Sequence, residues 1–349
     1  MSRVFVCGES AVSPAGWGMA VFRQALARGE PLPTKELARP GSPRSLRIRT
    51  VPPASPRPAF AGHARLRRTS PIAHYAVAAA LEALGTDAAR LRDGAFRLGI
   101  VFCVMSGSVN YSRRFYDETL KDPATASPLV FPETVFNAPA SHLAALLGTT
   151  AINYTLVGDP ATILQGIALA ADWLLSEQVD GCLVIGAEEM DWLTAEAVTL
   201  FASQAQTSDG AGALYLRREP GQSPAVELRA VTDCYSFSNN QSRALAARRA
   251  RAELSAAGAQ QLLCDGTQGV PGLDRDEAAA WEDWPGARLS VKRIFGEGLM
   301  AAAAWQCVAA VDALRHNNFS AAIVSIVGCN QQAIAAQFAR SEYRVGGRE

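Results

Sequence analysis

The sequence predicts an α/β fold with largely parallel sheets, arranged as a duplicated sandwich around a central layer of helices. Short apolar runs of strand length alternate with helical segments along most of the chain, which is the pattern of α/β folds. Two helical segments, residues 161–175 and 298–314, are apolar on nearly every side, and such helices are usually buried all round. Because one lies in each half of the chain, we expect two halves packed against a shared helical layer.

The individual elements follow from these local patterns in chain order. Short apolar runs predict the strands Val4–Gly8, Leu98–Val104, Ala151–Leu156, Gly181–Gly186, Ala211–Leu216, Ala225–Val231, Gln260–Cys264 and Ala321–Val327. Longer segments predict helices near residues 18–28, 72–84, 111–120, 139–147, 161–176, 191–202, 240–257, 274–282 and 298–315. Strands and helices therefore alternate in both halves of the chain.

The composition is that of a protein with a large core. The chain has 349 residues, of which 49% are hydrophobic and 19% are charged, enough for two domains or one duplicated domain. Lys and Arg together number 33, as do Asp and Glu, so no net charge favours nucleic acid or a membrane surface. The apolar runs are shorter than the ~18 residues that cross a bilayer, and the first residues lack a signal-peptide pattern. We therefore expect a cytoplasmic protein without a membrane span.

The seven cysteines predict neither a disulfide framework nor a metal site. They stand at positions 7, 103, 182, 234, 264, 307 and 329, without a C-x-x-C pair, and most lie in apolar segments. Such cysteines are typical of reduced core residues. We expect no metal and no cofactor, and nucleotide binding has no support because the sequence lacks a P-loop and a G-x-G-x-x-G after a strand.

One region is too rich in proline for a helix or a central strand. Residues 31–58 contain eight of the 19 prolines and are predicted to form an extended surface loop. From Lys35 to Arg68 there are nine basic residues and one acidic residue, Glu36. Residues 31–68 thus form a proline-rich basic loop, which is either an ordinary solvated segment or a docking surface for an acidic partner.

The segment INYTLVGDPAT, residues 152–162, raises the question of a missing nucleophile. A strand runs into a tight turn and then an apolar helix, whose free N–H groups and positive potential suit a nucleophile. The turn from Val157 to Thr162 nevertheless contains neither Cys nor Ser. Pro160 fits the first turn of the helix instead, where its missing N–H costs little.

Eight segments, in order, resemble the β-ketoacyl-acyl-carrier-protein synthases of the thiolase fold. These segments are VFVCGESAVSPAGWGMAVFRQALARGE, PLVFPETVFNAPASHLAALLG, INYTLVGDPAT, GCLVIGAEEMD, SDGAGALYLRR, CDGTQG, SVKRIFGEGLMAAAAWQCVAAVDALRH and IVSIVGCNQQA. The resemblance covers nearly the whole chain. It implies a thiolase-like, duplicated five-layer αβαβα sandwich, with an N-terminal half at residues 1–216 and a C-terminal half at residues 217–349.

By this resemblance, all three catalytic side chains of the family are replaced. Family members use a Cys at the elbow as acyl acceptor and two His that promote decarboxylation and stabilise an oxyanion. In this sequence the Cys position holds Pro160, and the two His positions hold Asp265 and Glu297. The Lys of the second His motif is retained as Lys292, and Cys329 replaces a Phe that gates the Cys pocket.

Two further observations fit a chain that does not act alone. His142 and His316 are the histidines nearest to the motifs, and both are interpreted as structural, since one lies in the NAPASH helix and the other at a helix C-terminus. Between Ala202 and Ser208 the family usually carries a longer element bordering the active-site mouth, whereas this chain has only SQAQT. The resemblance therefore implies no activity by this subunit alone.

The resemblance also implies a partner that supplies the chemistry. In type II polyketide systems a catalytic ketosynthase pairs with a homologue lacking the Cys, the chain-length factor or ketosynthase β-subunit. Such a chain would form a heterodimer, join the strand at residues 151–156 to the partner's sheet, and wall the tunnel in which the polyketide grows. The short form and the loss of all three side chains favour an aryl polyene system. The candidate tunnel and interface residues are Met105, Val109, Phe115, Phe131, Val135, Phe136, Asn153, Tyr154 and Thr155.

The basic loop then acquires a candidate partner. Carrier proteins are acidic, and their phosphopantetheine-bound chains would have to dock repeatedly on such a heterodimer. The candidate docking residues are Arg44, Arg47, Arg49, Arg65, Arg67 and Arg68.

Two other functions remain open at the level of sequence. Asp265 and Glu297 could form a carboxyl pair that shares protons, which would suit a decarboxylase or a dehydratase. Two anions replace oxyanion donors poorly, however, and burial would tend to protonate one of them. Alternatively, the chain could be a structural scaffold, a homodimer with no tunnel.

Overall fold

The structure is a computed structural model and describes residues 3–93, 96–221, 224–254, 258–329 and 331–341. The strands in these residues are β1 (Val4–Ser13), β2 (Gly16–Trp17), β3 (Lys35–Leu37), β4 (Leu46–Arg49), β5 (Leu98–Val104), β6 (Asn153–Val157), β7 (Gly181–Glu188), β8 (Thr207–Ser208), β9 (Gly210–Arg217), β10 (Val226–Val231), β11 (Tyr235–Ser236), β12 (Gln261–Asp265), β13 (Ala287–Ser290), β14 (Ala321–Val327) and β15 (Gln332–Arg340). The helices are α1 (Met19–Arg28), α2 (Pro71–Leu84), α3 (Val109–Lys121), α4 (Ala138–Leu147), α5 (Thr162–Leu175), α6 (Trp192–Phe201), α7 (Asn240–Ala252), α8 (Pro271–Ala280), α9 (Val291–Phe295) and α10 (Met300–His316). Short 3₁₀ helices lie at Ala59–Gly62, Ala64–Leu66, Gly85–Asp93 and Phe131–Thr134.

The strand order shows two halves with the same pattern. In the N-terminal half the order is β1, β9, β7, β5, β6, and in the C-terminal half it is β10, β15, β14, β12, β13. In each half the first two pairings are antiparallel and the last two are parallel. This repeated pattern supports the predicted duplication. β1 also pairs with β10 through residues 4–6, so the halves share one continuous path of strands.

The expectation of largely parallel sheets is wrong for the middle of this path. β14 and β15 are joined by residues 328–331, and so short a connection permits only an antiparallel pair. β15 itself is absent from the predicted strands, because its sequence QAIAAQFAR is rich in Ala and Gln and has few of the β-branched residues that mark a strand. The predicted boundary after residue 216 falls at the last residue of β9.

The core divides into three clusters that define five layers. The central cluster contains most of α5 and α10, with residues such as Val101 and Val184 from one half and Leu262 and Val324 from the other. A second cluster packs α2 and α4 against the outer face of the N-terminal half. A third places α7 and the end of α8 on the outer face of the C-terminal half. The order helix, sheet, helix, sheet, helix confirms the five-layer sandwich.

The two apolar helices lie where the sequence predicts. In α10 every residue from Met300 to Leu314 is buried, and α5 buries eight of its 14 residues. The eight predicted strands and nine predicted helices are all present, with ends that differ by a few residues. The last three residues of the predicted helix 240–257 lie outside the described residues. No helix among the described residues is long and apolar enough to cross a membrane.

The proline-rich segment is not wholly loop. β3 and β4 form an antiparallel pair, and β4 pairs in parallel with β8, which gives a separate three-stranded sheet. Both strands occupy proline-free stretches between Pro33 and Pro40 and between Pro43 and Pro52, where every residue keeps its N–H. The sequence therefore predicts the breaks correctly but misses the short strands between them.

Candidate functional site

The elbow, residues 157–162, joins β6 to α5. The N–H of Gly158 donates to the carbonyl of Val104 in the neighbouring strand at 3.1 Å. A Cβ on Gly158 would lie 2.4 Å from the Thr162 hydroxyl, so a larger residue would displace that hydroxyl. Pro160 is buried and lies one residue before Ala161, the N-cap of α5, so it precedes the first turn of the helix in which the sequence predicts it. The turn keeps the shape of a nucleophile elbow, but Pro160 supplies neither a nucleophile nor a donor.

The carboxylate of Asp159 fills the space beside Pro160. It is buried, its Oδ1 accepts the N–H of Ala161 at 3.2 Å, and its Oδ2 accepts the N–H of Gln331 at 2.9 Å. A Cβ on Gly328 would lie 1.5 Å from Oδ1, so the carboxylate packs directly on the turn before β15. Because a helix N-terminus favours negative charge, Asp159 acts as an internal anion at the position where an external anion would bind.

Glu297 and Lys292 form a buried ion pair. The Lys292 Nζ lies 2.8 Å from Glu297 Oε2, and each side chain is 5% exposed. Gln268 Nε2 donates to the same oxygen at 2.7 Å, and the N–H of Leu299 donates to Oε1 at 2.9 Å. Burial lowers the pKa of Lys292, but the adjacent Glu297 carboxylate outweighs that effect and the pKa is raised overall. Lys292 is therefore a cation whose charge Glu297 neutralises.

The backbone of Glu297 holds the shortened connection that precedes β9. Its N–H donates to the carbonyl of Gln206 at 2.7 Å, and its carbonyl accepts the N–H of Ser208 at 3.0 Å. The resemblance implies a longer element between Ala202 and Ser208. In this chain the short connection contacts Glu297 directly. Side chain and backbone of Glu297 together fix this part of the site.

Asp265 is held by two hydroxyl groups. Its Oδ1 accepts the hydroxyls of Thr267 at 2.8 Å and of Ser290 at 2.7 Å. Glu277 lies behind it, and burial, followed by the charge of Asp265, raises the pKa of Glu277 to about 7. Asp265 and Glu297 therefore have separate sets of partners, and no hydrogen bond between the two carboxyl groups is seen. We call Asp159, Pro160, Asp265, Lys292 and Glu297 the closed cluster.

Cys329 lies at the mouth of the closed cluster. The residue as a whole is exposed, but its sulfur packs against the sulfur of Met105 at 3.9 Å. Desolvation of the thiol, followed by the charges of Asp159 and Glu297, raises the pKa of Cys329. Because a thiol with a raised pKa is a poor nucleophile at neutral pH, Cys329 is not a substitute for a nucleophile at the elbow.

Comparisons with known proteins identify the family of this chain. The family model for the β-ketoacyl synthase N-terminal domain matches residues 1–214. The chain belongs to the β-ketoacyl synthase family. A comparison with curated proteins found no match.

Three solved structures illustrate the ketosynthase fold of this chain. A β-ketoacyl synthase from Burkholderia phymatum aligns with a TM-score of 0.80 at 17% identity, covering 98% of this chain and all of that one. A chain of AntDE:AntF, a type II polyketide acyl-carrier protein in complex with its ketosynthase, gives 0.77 at 18% identity, covering 97% and 99%. A chain of the ketosynthase ApeO in complex with its chain length factor ApeC, from Xenorhabdus doucetiae, gives 0.76 at 14% identity, covering 97% and 98%.

Four of the six residues predicted to form a tunnel have contacts within this chain. The sulfur of Met105 contacts that of Cys329, and the Phe136 ring covers Gly107, where a Cβ would lie 2.7 Å from Cδ1. The rings of Phe115 and Phe131 pack with their centroids 5.3 Å apart. The remaining two, Val109 and Val135, are half-buried and exposed, respectively.

The surface around β6 is unusually apolar. Of the 13 exposed large hydrophobic side chains in the described residues, eight fall between Tyr116 and Val157. Tyr154 is 54% exposed and Val157 is 52% exposed, and both belong to β6, which is the last strand of the path. The buried hydroxyl of Thr155 has no hydrogen-bond partner among the described residues. We call β6, α3 and the 3₁₀ helix Phe131–Thr134 the open edge.

The remaining residues of the open edge have partners within the chain. Asn153 Nδ2 donates to the carbonyl of Ala140 at 3.3 Å, and the Tyr154 ring packs edge-on against Trp173 at 5.2 Å. α3 buries none of its residues. An exposed strand edge and an exposed apolar surface each favour association with another chain.

Five of the six candidate docking arginines are exposed, and Arg49 is a correction. Arg49 is buried, because its guanidinium donates to the carbonyl of Leu32 at 2.8 Å within the small sheet, and burial lowers its pKa. A buried guanidinium cannot meet a carrier protein. The exposed residues are Arg44, Arg47, Arg65, Arg67 and Arg68.

Sequence reasoning missed several residues of the site and interpreted two others from their positions. His142 contacts Glu133 at 2.9 Å, and His316 contacts the carbonyl of Asp312 at 3.0 Å, so neither bonds to the closed cluster. Asp159 and Gln268 were not singled out from the sequence. The signal was present, since Asp159 precedes Pro160 and Gln268 belongs to the CDGTQG segment.

Proposed function

We propose that this chain is a ketosynthase-like chain-length factor that has no activity alone and pairs with a catalytic β-ketoacyl-acyl-carrier-protein synthase. The observation that carries the proposal is the closed cluster. At the three positions where the family uses a Cys and two His stand Pro160, Asp265 and Glu297, and the two carboxylates are engaged by neighbours of this chain. The chemistry would then come from the partner.

An independent decarboxylase or dehydratase receives less support. Acid–base catalysis needs a group that can exchange a proton with a substrate. Glu297 is buried and neutralised by Lys292, while Asp265 is buried and accepts two hydroxyl groups. Asp159 also places a negative charge where a thioester oxyanion would need positive potential.

The open edge supports pairing with another subunit. An exposed strand with apolar side chains would extend its sheet through a partner, and the apolar face of α3 would be covered at the same time. The complex of ApeO with its chain length factor is a similar structure in which such a pair was solved. We assign Asn153, Tyr154 and Thr155 to this contact.

The tunnel wall would be completed by the partner. Met105 starts at the closed cluster, and Phe136, Phe115 and Phe131 continue along the open edge. These side chains are half-buried or exposed in the single chain, so a second subunit is needed to enclose them. Their bulk would then set how long a chain fits, with an aryl polyene as the proposed product class.

The first test is pairing and activity. The chain would be co-expressed with an intact ketosynthase from the same gene neighbourhood, and the pair would be purified through a tag on one subunit. We expect a 1:1 heterodimer that extends an acyl chain with units from malonyl-carrier protein and releases CO₂, and no turnover from the isolated chain. Turnover by the isolated chain would contradict the proposal, and a homodimer that ignores the ketosynthase would favour the scaffold.

The second test concerns the tunnel. Each of Met105, Val109, Phe115, Phe131, Val135 and Phe136 would be changed to Ala in the heterodimer. A longer product is expected from at least one variant, because a smaller side chain leaves room for further extension. Leu245→Ala, an exposed residue of α7, is the matched control. If product length is the same for all six variants, the tunnel assignment is wrong.

The third test concerns the carrier protein. Charge reversal of Arg65, Arg67 and Arg68 to Glu should weaken carrier-protein binding about tenfold and flatten its dependence on salt. The control is reversal of Arg248 and Arg249, two exposed arginines of α7. Equal affinity and equal salt dependence in both variants would remove the basic loop from the docking surface.

A further inference from the structure

The run Glu188-Glu189-Met190-Asp191 carries three buried carboxylates that the proposed function does not use. It follows the core of β7, in the segment GCLVIGAEEMD. Glu188 is fully buried, and Glu189 and Asp191 are almost so. Buried carboxylates are costly unless they are hydrogen-bonded or paired. The hydrogen-bond partners of these three therefore show which parts of the chain they hold in place.

All three carboxylates bond to one segment, residues 105–113. Glu188 accepts the N–H of Met105 at 2.5 Å and that of Ser106 at 3.1 Å. Glu189 accepts the N–H of Asn110 at 2.8 Å. Asp191 accepts the Nε–H of Arg113 at 3.0 Å. In sequence order, the three acids therefore bond to successive positions of the segment that leads into the first turn of α3.

The other bonds of the same residues lead to rigid parts of the fold. Glu189 also accepts the Ser70 hydroxyl at 2.6 Å and the N–H of Ile72 at 3.0 Å, at the start of the buried helix α2. Asp191 accepts the N–H of Thr194 at 2.8 Å and so caps α6. The three acids thus fasten the start of α3 to α2, β7 and α6.

This fastening matters because α3 buries none of its residues in the single chain. Apolar packing within the subunit therefore does little to fix where its first turn lies. The N–H groups of residues 105, 106 and 110 are held by Glu188 and Glu189, and these bonds bracket Met105 and Val109. Both are tunnel candidates, although neither acid is itself in the proposed wall.

We propose that Glu188, Glu189 and Asp191 are positioning residues that set where Met105 and Val109 stand in the tunnel wall, and therefore help to set product length. The proposal rests on the proposed function. The acids touch neither the substrate nor the partner. They act through the backbone of residues 105–110 and the side chain of Arg113.

The test uses Glu188→Gln in the purified heterodimer at pH 9, above the pKa of about 8 that burial gives Glu188, so that the wild-type side chain is a carboxylate. A glutamine has nearly the same size, but its NH₂ group would face a backbone N–H in place of one carboxylate oxygen. We expect amide hydrogen exchange at residues 105–107 to become at least tenfold faster, and the product distribution to shift by one extension unit or more. Asp209→Asn is the matched control, because Asp209 is also buried and accepts a backbone N–H, that of Val51 at 2.6 Å. It should leave product length unchanged.

The outcomes separate this inference from the proposed function. If Glu188→Gln changes neither exchange nor product length, the inference is overturned. If exchange becomes faster while product length stays fixed, and Met105→Ala does change the length, the acids hold the loop without setting length and the inference also fails. If no tunnel variant changes the length, the proposed function has failed. Should Glu188→Gln not fold, Asp191→Asn, which keeps an oxygen for the Thr194 N–H, is measured for product length and for amide exchange in the first turn of α3, around Arg113.

Discussion

β6 belongs to the open edge and runs into the turn that carries Asp159 and Pro160 of the closed cluster, yet the groups of the two regions are satisfied in opposite ways. In the closed cluster, Lys292 and Glu297 are buried and paired, and Asp159 accepts backbone N–H groups from both sides of the pocket. In the open edge, Tyr154 and Val157 are more than half exposed, and the hydroxyl of Thr155 is unpaired among the described residues. The closed cluster has its charged groups satisfied within the chain, whereas the open edge has exposed apolar side chains and an unpaired hydroxyl among the described residues.

This difference favours the proposed pairing over independent binding of a substrate. A site that binds a substrate needs unsatisfied groups to offer, and in the closed cluster the charges of Lys292 and Glu297 neutralise each other. An interface needs apolar surface and a free strand edge, and the open edge has both. Four predictions test this contrast between the two regions.

The largest effect should come from charging the edge of β6. Tyr154→Asp combined with Val157→Lys would place charges where a partner's strand and apolar side chains are expected to pack, and desolvating them is costly. We expect affinity for the ketosynthase to fall at least 100-fold, measured by sedimentation of the mixed subunits.

The matched control for this variant is Leu245→Lys. Leu245 is 47% exposed, close to the value for Tyr154, but lies on α7 on the outer face of the C-terminal half. It should pair normally. If the double variant also pairs normally, β6 is not the contact.

Much of this fold could be anticipated from local patterns, whereas the content of the closed cluster could not. The two apolar helices and the turn at Pro160 are visible within a few residues of sequence. Asp159 fills the space beside Pro160 only because Gly328 and Gln331 approach it from a turn more than 160 residues away. The sequence shows the segment before β15 only as a motif and does not predict β15 itself.

The same limit applies to charged side chains. The sequence allows Glu297 to form a proton-sharing pair with Asp265, whereas in the structure it bonds to Lys292 and to Gln268, which lies 29 residues away in sequence. Arg49 belongs to a run of exposed arginines but turns inward because β4 pairs with β8. Long-range pairing of this kind cannot be deduced from local composition.

The second prediction concerns the ion pair of the closed cluster. Lys292→Met would leave the Glu297 carboxylate buried without its cation, and we expect the free energy of unfolding to fall by about 3–5 kcal/mol in urea denaturation. The double variant Lys292→Met/Glu297→Gln should recover most of this loss, because no unpaired charge remains.

An exposed pair provides the matched control for that measurement. Arg114 and Glu118 are 2.9 Å apart on the surface of α3, and Arg114→Met should lower stability far less than Lys292→Met does. If Lys292→Met costs as little as Arg114→Met, Glu297 is not charged in the folded chain, and the closed cluster does not contain a buried ion pair.

The third prediction is a pH dependence with a defined sign. Burial is the main cause that raises the pKa of Glu188 to about 8 and those of Glu277 and Asp209 to about 7. The folded chain therefore retains protons that the unfolded chain has released above about pH 4.5, so stability falls as pH rises from about 5 to 8 and then levels off. Urea denaturation from pH 5 to 9 measures this slope.

Glu188→Gln isolates one contribution to that slope. Glutamine does not titrate, so the decline should become shallower by up to about 1.4 kcal/mol per pH unit between pH 5 and 8. An unchanged slope would mean that the backbone N–H groups of Met105 and Ser106, which oppose the shift, keep Glu188 ionised in the folded chain.

The smallest effect is expected where a catalytic group is restored. Pro160→Cys returns a thiol to the elbow, but Asp159 remains beside it as a buried carboxylate, and an adjacent negative charge disfavours the thiolate. We expect no acyl transfer, and alkylation by iodoacetamide at least tenfold slower than in Pro160→Cys/Asp159→Ala, followed site by site by mass spectrometry. The wild-type chain, whose exposed cysteines are Cys234 and Cys329, corrects for background labelling. Rapid acylation of Pro160→Cys would show that the elbow still accepts a thioester. The contrast between the closed cluster and the open edge would then depend on one side chain alone, that of residue 160.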